Sequence, residues 1–301
     1  MSEPVRVYVG ADRSQLLAIK VLEHSIQRHT ELPVEVHAMV DLPVRVPQDP
    51  SNWQRTGFSF SRFCIPELAN YQGKALYLDA DMLVFTDIAD LWNIAFDSAK
   101  VIIQAELADE QQTSQKKDAP KKRVKQCAVM LLDCDRLNWK IDDIITGLDR
   151  NDYSYERLMF DLCLLKESEI RYAVPFRWNS MEQYQPGETA LIHYTDMTTQ
   201  PWVSAQNQHS EPWLAEVRLM IATQALTYED IKQEIDLGYF RPSLIVELQW
   251  GHRIPGLLKA PFQILLRTLD KGYKPHREVS RLKKIRKKAI KAQESAIALN
   301  R

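Results

Sequence analysis

The chain has 301 residues, of which 45% are hydrophobic and 26% are charged, an ordinary globular composition that excludes a largely disordered protein. The formal net charge is −1, but residues 281–301 hold eight Lys or Arg against one Glu, so the rest of the chain is acidic. The four cysteines form no C-x-x-C pair, which favours reduced thiols and a cytoplasmic location. We expect neither a secretory signal nor a membrane-spanning apolar run.

Apolar strand patterns alternate with helical patterns through the first two thirds of the chain. The strand patterns cover residues 5–10, 34–40, 75–78, 82–85, 101–104, 127–132, 171–175 and 189–193. The helical patterns cover residues 14–29, with Ser14 as a candidate cap, and residues 60–71, 136–148 and 154–166. This alternation predicts an α/β fold with a mostly parallel sheet flanked by helices, which binds its ligands where strands end.

Polar loops and a helical C-terminal region complete the predicted organisation. Residues 41–58 and 109–125 are polar and predict loops. After residue 210 the pattern is helical, with an apolar segment at 254–269 and seven cations within 281–291. We therefore expect an α/β domain over residues 1–250 and an apolar and basic helical extension over residues 251–301.

Two D-x-D triplets follow strand patterns, and their surroundings differ. Asp79 and Asp81 lie between the apolar runs LYL and MLVF, where unpaired carboxylates are costly to bury. Residues two apart in an extended backbone point to the same face, so both can bind one hard cation such as Mn²⁺ or Mg²⁺. Asp133 and Asp135 precede RLNW, and we interpret them as caps of a helix.

The segment LYLDADMLVFTDIADLW resembles the metal-binding signature of glycosyltransferase family 8. Five further stretches resemble family motifs in the family's order: VYVGADRSQLLAIKVLEHSI, FSFSRFCIPEL, QCAVMLLD, FRWN and LIHYTDMTTQPW. The resemblance covers residues 5–202 and implies a GT-A-type nucleotide-binding fold.

This resemblance implies roles for individual residues. His193 would be the third metal ligand beside Asp79 and Asp81. The donor-binding residues would be Gly10, Ala11, Asp12, Arg62, Asp79, Ala80, Asp81, Gln126, Ala128, Gln200 and Trp202. The catalytic candidates are Glu156 and Arg157, which replace the family's Asp-Gln pair, with Asp161 as the rival for that role.

Four further positions depart from the family pattern. Gln126 and Ala128 stand where the family has Asn and Gly, which implies a differently shaped pocket for the donor sugar. Asp196 and Gln200 stand where the family has Gly and Lys. The loss of this Lys removes a cation expected beside the departing diphosphate.

The implied activity is that of a retaining transferase. It would move a hexose from a UDP-sugar to a glycan, a lipid-linked or a small-molecule acceptor, with Mn²⁺ or Mg²⁺ as cofactor. The departures leave open a non-catalytic binding module of the same fold. A sugar nucleotidyltransferase is a further alternative, although it would need a Gly-rich phosphate loop that the segment after Val9 lacks.

The C-terminal region predicts a partner of its own. An apolar helical face at 254–269 followed by a cationic run to residue 291 suits an anionic membrane surface on the cytoplasmic side. The alternative is that 254–269 packs as core and the cationic run is solvated. Nucleic acid is not expected, because aromatic residues do not interleave with the cations.

Overall fold

The computed structural model describes residues 3–104 and 125–299. The strands are β1 (Val5–Gly10), β2 (Val34–Met39), β3 (Lys74–Asp79), β4 (Met82–Val84), β5 (Val101–Gln104), β6 (Gln126–Asp133), β7 (Ile170–Tyr172), β8 (Ser180–Met181) and β9 (Leu191–His193). The helices are α1 (Leu16–Arg28), α2 (Ile65–Leu68), α3 (Ala89–Trp92), α4 (Ile141–Asp149), α5 (Tyr155–Asp161), α6 (Ser210–Ala222), α7 (Tyr228–Asp236), α8 (Leu244–Trp250), α9 (Lys259–Leu269) and α10 (Arg277–Leu299).

The central sheet has six strands in the order β2-β1-β3-β6-β5-β7. The pairs β1–β2, β1–β3 and β5–β7 are parallel, whereas β6 runs antiparallel to both β3 and β5. The α/β class and the mostly parallel sheet are therefore confirmed, with β6 as the reversed strand. A second sheet has three strands in the order β4-β9-β8.

Apolar side chains cover both faces of the central sheet. Alternate residues of β1 point to opposite faces, so Val7 joins a cluster with α1 and β4, whereas Tyr8 joins a cluster with α2, α4 and α5. A third cluster joins the other side of α1 to α6, α7 and α8. Burial on both faces explains why the central strands are continuous apolar runs.

The strand registers bring the ends of three strands together. Gly10 at the end of β1 pairs with Asp79 at the end of β3. Met82 at the start of β4 pairs with His193 at the end of β9. Because only Ala80 and Asp81 separate β3 from β4, these registers place both aspartates and His193 at one edge of the molecule.

Several predicted boundaries are wrong. The helix predicted over 136–148 begins only at Ile141, because residues 134–136 form a turn. The helix predicted over 154–166 ends at Asp161, where Leu162 adopts a left-handed backbone with φ 50°. The predicted cap Ser14 lies inside a 3-10 turn, Arg13–Gln15, that leads into α1, and Asp12 caps this turn by accepting a hydrogen bond from the Ser14 N–H. The predicted loop 109–125 lies outside the described residues except for Lys125.

Two further observations concern the C-terminal part of the described chain. Helices α9 and α10 fall where the sequence predicts a helical extension. Among residues 3–104 and 125–299, no helix combines the length and apolar character needed to cross a membrane.

Candidate active site

Asp79, Asp81 and His193 form a cluster, here named the Asp–Asp–His cluster, at the ends of β3 and β9. The Nε2 of His193 lies 3.1 Å from Oδ1 of Asp81 and 3.8 Å from Oδ2 of Asp79. One ligand atom from each residue lies within 4.8 Å of the others. The three residues that the sequence and the resemblance single out as metal ligands are therefore brought together.

The donor atoms of this cluster suit a divalent cation. Two carboxylates and one imidazole are ligands that Mn²⁺ and related ions accept. The Nδ1 of His193 lies 2.9 Å from Oδ1 of Asn179, and the Asn179 amide nitrogen donates to Oε1 of Gln104 at 2.9 Å. Because an amide oxygen only accepts, the Nδ1 of His193 carries a proton, so Nε2 is the nitrogen that faces the carboxylates and that binds an ion once it gives up its own proton. This is how second-shell partners orient a histidine ligand.

A tyrosine and an arginine hold the carboxylate of Asp79 in position. The hydroxyl of Tyr77 donates to Oδ1 of Asp79 at 2.6 Å. The Arg62 guanidinium donates to the Tyr77 hydroxyl at 3.2 Å and to the Cys127 carbonyl at 2.8 Å, and lies 3.8 Å from Asp79. Arg62 is therefore close to the predicted donor site, and its described contacts position Tyr77 and Asp79.

Burial and charge shift the pKa values of the cluster. Burial raises the pKa of Asp79, and the positive charges of Arg62 and His193 offset this only in part. Burial acts to lower the pKa of His193, but Asp81 and Asp79 beside it raise the pKa above its ordinary value. Both groups hold protons readily because negative charge is concentrated in a buried place, and a bound cation would compete with those protons.

Gly10 and its neighbours line the end of β1. A Cβ at Gly10 would lie 2.7 Å from the Tyr77 hydroxyl and 3.0 Å from Oγ of Ser61, so only glycine fits beside Tyr77. Ala11 and Ala80 are buried, and Asp12 is half-buried with its carboxylate on Ser14. Their contacts to a donor stay predictions.

Gln200 binds the other aspartate of the cluster. It is fully buried, and its amide nitrogen donates to Oδ2 of Asp81 at 2.8 Å and to the Tyr194 carbonyl at 3.1 Å. A neutral side chain thus orients Asp81 at the position where the family has a cation. Trp202 is buried and packs against Trp213 and Phe240.

The remaining donor and catalytic candidates lie on β6 and α5. Gln126 is half-buried at the start of β6, and Ala128 is buried. On α5, Glu156 forms a 2.6 Å ion pair with Arg55, while Arg157 and Asp161 are exposed. Within the described residues, no hydrogen bond or ion pair joins these three side chains to the Asp–Asp–His cluster, and their catalytic roles stay predictions.

Sequence reasoning missed two residues that orient the cluster. Tyr77 looks like a core residue of an apolar strand, although its position two residues before Asp79 predicts the same face. Asn179 is part of the FRWN resemblance, but its bond to His193 depends on the packing of residues far apart in sequence. In the structure, the almost complete burial of the polar Asn179 side chain is the feature that indicates a role in orienting His193.

Comparison with known proteins supports the class that this geometry indicates. Residues 14–145 match the family described as Glycosyl transferase family 8. Protein CDI of Arabidopsis thaliana is 26% identical over 236 residues, which are 71% of this chain and 86% of that protein.

Solved glycosyltransferase structures share the fold. The galactosyltransferase LgtC in complex with donor and acceptor sugar analogues has a TM-score of 0.50 at 15% identity, covering 70% of this chain and 95% of LgtC. An active-site mutant of LgtC has a TM-score of 0.52 at 16% identity, with 71% and 95% covered. The bifunctional glycosyltransferase WbbM has a TM-score of 0.51 at 13% identity, covering 78% of this chain but only 52% of WbbM.

The fold is the one that GT-A glycosyltransferases have. The match of residues 14–145 to the model of glycosyl transferase family 8 supports glycosyltransferase activity. Asp79 and Asp81 lie inside the matched segment. His193 lies beyond it, and the pairing of β9 with β4 brings it to the two aspartates.

Proposed function

We propose that the protein transfers a hexose from a UDP-sugar to a glycan, lipid-linked or small-molecule acceptor, with retention of anomeric configuration. The observation that carries this proposal is the Asp–Asp–His cluster at the ends of β3 and β9. The cation proposed there is Mn²⁺ or Mg²⁺. When bound, such an ion supplies Lewis-acid neutralisation of the charge that develops on a departing diphosphate.

The described side chains would keep the three ligands in place. Tyr77 holds Asp79, Gln200 holds Asp81 and Asn179 holds His193, each through a hydrogen bond. Ligands that are already oriented lose little conformational entropy when an ion binds. The electrostatic environment is thus built before the donor arrives, which is the main protein contribution to group transfer.

The test uses isosteric variants of the two aspartates. Asp79→Asn and Asp81→Asn should abolish Mn²⁺-dependent UDP binding in titration calorimetry, because each removes one anionic ligand. Their melting temperatures should stay unchanged or rise, since the substitution removes repulsion between neighbouring carboxylates. Unchanged UDP affinity in both variants would contradict the proposed site.

Asp135→Asn is the matched control from the second triplet. The Asp135 carboxylate accepts a hydrogen bond from the Gly73 N–H, so its loss should cost about 1 kcal/mol of stability and no donor affinity. Mn²⁺-dependent release of UDP from UDP-sugars separates the enzyme from a non-catalytic binding module. Binding without any such release, with acceptors of all three classes present, would favour the binding module.

We further propose that residues 251–301 attach the catalytic domain to an anionic membrane surface. Six large apolar side chains between residues 250 and 269 are exposed: Trp250, Leu257, Leu258, Ile264, Leu265 and Leu269. The exposed fraction is 96% for Leu257 and 63% for Ile264. Only Leu266 of α9 is buried, which supports the membrane interpretation over the alternative that this segment packs as core.

The charge of this segment supports an anionic membrane as the partner of its apolar surface. Residues 250–274 contain five basic side chains and one acidic side chain, and the acidic one, Asp270, is bonded to Ser243. Exposed apolar residues flanked by cations suit the headgroup region of an anionic bilayer. The proposed location is therefore the cytoplasmic face of a membrane.

A further inference from the structure

The cationic helix α10 has a fixed place on the body of the protein. Arg286 donates from Nε to the Pro50 carbonyl and from Nη2 to the Ser51 carbonyl, both at 3.2 Å. One turn earlier, Leu282 faces Gly57, where an added Cβ would lie 4.0 Å from Cδ1 of Leu282. The helix therefore lies against the loop 50–57, which leads into the turn that carries Arg62.

The other end of α10 brings His276 to the candidate active site. His276 directly precedes α10, and its ring hydrogen-bonds to the backbone of Met197, in the turn that follows β9, through the nitrogen other than Nε2. The negative charges of Asp12 and Asp81 both act on this ring. His276 is thus near two of the residues predicted to bind the donor.

His276 combines two unfavourable features. Its Nε2 is buried and makes no hydrogen bond to the described residues, although buried polar atoms are nearly always paired. Its backbone has φ 49°, in the left-handed region that residues other than glycine seldom adopt. Unpaired and strained residues of this kind cluster where a ligand completes the structure.

We propose that Nε2 of His276 binds a phosphate oxygen of the nucleoside diphosphate held at the Asp–Asp–His cluster. This inference rests on the proposed function. A phosphate oxygen is a strong acceptor for a ring N–H, and position 200 supplies no cation there, because the Gln200 amide is bonded to Asp81. Helix α10 would then complete the donor site with a residue from outside the segment that matches the family.

Burial favours the neutral form of the His276 ring as long as no anion is bound beside it. It is the largest influence on the pKa of His276 and lowers that pKa below its ordinary value, against the opposing charges of Asp12 and Asp81. A neutral imidazole carries one N–H donor and one acceptor. Because the Met197 backbone takes the single N–H of a neutral ring, Nε2 donates to a phosphate oxygen only when the ring also gains a proton, and the negative charge of the diphosphate favours that protonated form.

Two amide variants of His276 form a matched pair. The amide nitrogen of glutamine can reach the place of Nε2, whereas the shorter asparagine reaches only as far as Nδ1. Asparagine tolerates a left-handed backbone better than most residues, so a loss of binding in His276→Asn would not come from backbone strain. Melting temperatures close to that of the wild type establish that both variants fold.

The measurement compares ligands with and without phosphates. With Mn²⁺ present, His276→Asn should weaken UDP binding about tenfold in titration calorimetry, the loss of one hydrogen bond to a charged group. His276→Gln should retain most of the affinity. Uridine binding, followed by NMR titration, and Mn²⁺ binding without nucleotide should be the same in all three proteins.

Each outcome decides between the two proposals. Equal UDP affinity in His276→Asn and wild type would overturn the role of His276 and leave the transferase proposal intact. An equal loss of UDP and uridine affinity would also overturn it, because the contact would then not be to phosphate. A wild-type protein without Mn²⁺-dependent UDP binding would instead contradict the proposed function itself.

Discussion

The side chain of Asn179 determines which nitrogen of His193 carries the proton. Asn179→Ala removes the acceptor for Nδ1, so the ring can rotate or change tautomer. We expect Mn²⁺ affinity to fall by about 10- to 100-fold, the usual effect of losing a second-shell partner. Competition with a fluorescent Mn²⁺ chelator measures this, and an unchanged affinity would show that Nε2 of His193 does not bind the ion.

Gly10 controls the position of the Tyr77 hydroxyl. Gly10→Ala places a Cβ where only 2.7 Å separates it from that hydroxyl, so Tyr77 must move away from Asp79. We expect a loss of about 1–3 kcal/mol in the free energy of unfolding, typical of overpacking, together with weaker UDP binding. In the Gly10→Ala/Tyr77→Phe double variant, part of the stability should return, because the clashing oxygen is absent; strictly additive losses would contradict this.

At the scale of single residues, the sequence predicts which residues belong to the candidate site better than it predicts the contacts among them. Asp79 and Asp81 are recognisable because two carboxylates interrupt apolar runs. The contacts Asn179–His193 and Gln200–Asp81 were not predictable, because they join residues whose proximity depends on strand register or on packing across the chain, whereas the spacing of Tyr77 and Asp79 on one strand already places them on the same face. The position of Glu156, Arg157 and Asp161 also depends on how α5 packs, which local sequence does not specify.

Among the structural elements, the junction between the turn after β9 and α8 depends on Arg241. This fully buried side chain donates to the Pro201 carbonyl at 3.0 Å and to Oγ of Ser243 at 2.5 Å, and it pairs with Glu247. Burial raises the pKa of Glu247, and Arg241 only partly opposes this. The pair therefore links α8 to the residues that follow Gln200.

Removing Arg241 should show how much the buried, unpaired carboxylate of Glu247 lowers the stability of the fold. Arg241→Met should lower the free energy of unfolding by about 3–5 kcal/mol at pH 7, because Glu247 is left charged and unpaired. The loss should shrink as the pH falls, since the raised pKa of Glu247 lets the folded state bind a proton before the unfolded state does. Urea unfolding of Arg241→Met and Arg241→Met/Glu247→Gln measures both effects, and a double variant no more stable than the single one would contradict the explanation.

Element types were more predictable than their ends. The alternating apolar runs identify the strands of the central sheet, because each is buried on both faces. The end of α5 was not predictable, since an ordinary leucine, Leu162, adopts the left-handed conformation there. The reversed direction of β6 was also not predictable, because an apolar run has the same composition in either direction.

At the scale of the whole molecule, the exposed apolar side chains of residues 250–269 form a surface flanked by cations. Ile264→Asp/Leu265→Asp should abolish flotation with anionic liposomes, because two charges enter the surface proposed to insert. Leu266 stays in the core, so folding and Mn²⁺-dependent UDP binding should be retained. Equal flotation of variant and wild type would contradict insertion through α9.

Lys287→Glu/Lys288→Glu is the control on α10. It should weaken flotation only in part, since each cation near an anionic surface contributes about 1 kcal/mol. Salt should release this variant from the liposomes at a lower salt concentration than it releases the wild type. Flotation lost completely in this variant and retained in Ile264→Asp/Leu265→Asp would move the membrane contact from α9 to α10.

The docking of α10 against the loop 50–57 also has a kinetic consequence. Residues 281–291 place seven cations on an otherwise acidic protein, on the helix that runs between this loop and the Met197 turn. A positive stripe beside an anion-binding site attracts ligands over a distance of about 10 Å at moderate salt and accelerates their encounter. Capture of an anionic donor would therefore slow as ionic strength rises, whereas turnover at saturating donor, which does not depend on encounter, would change little.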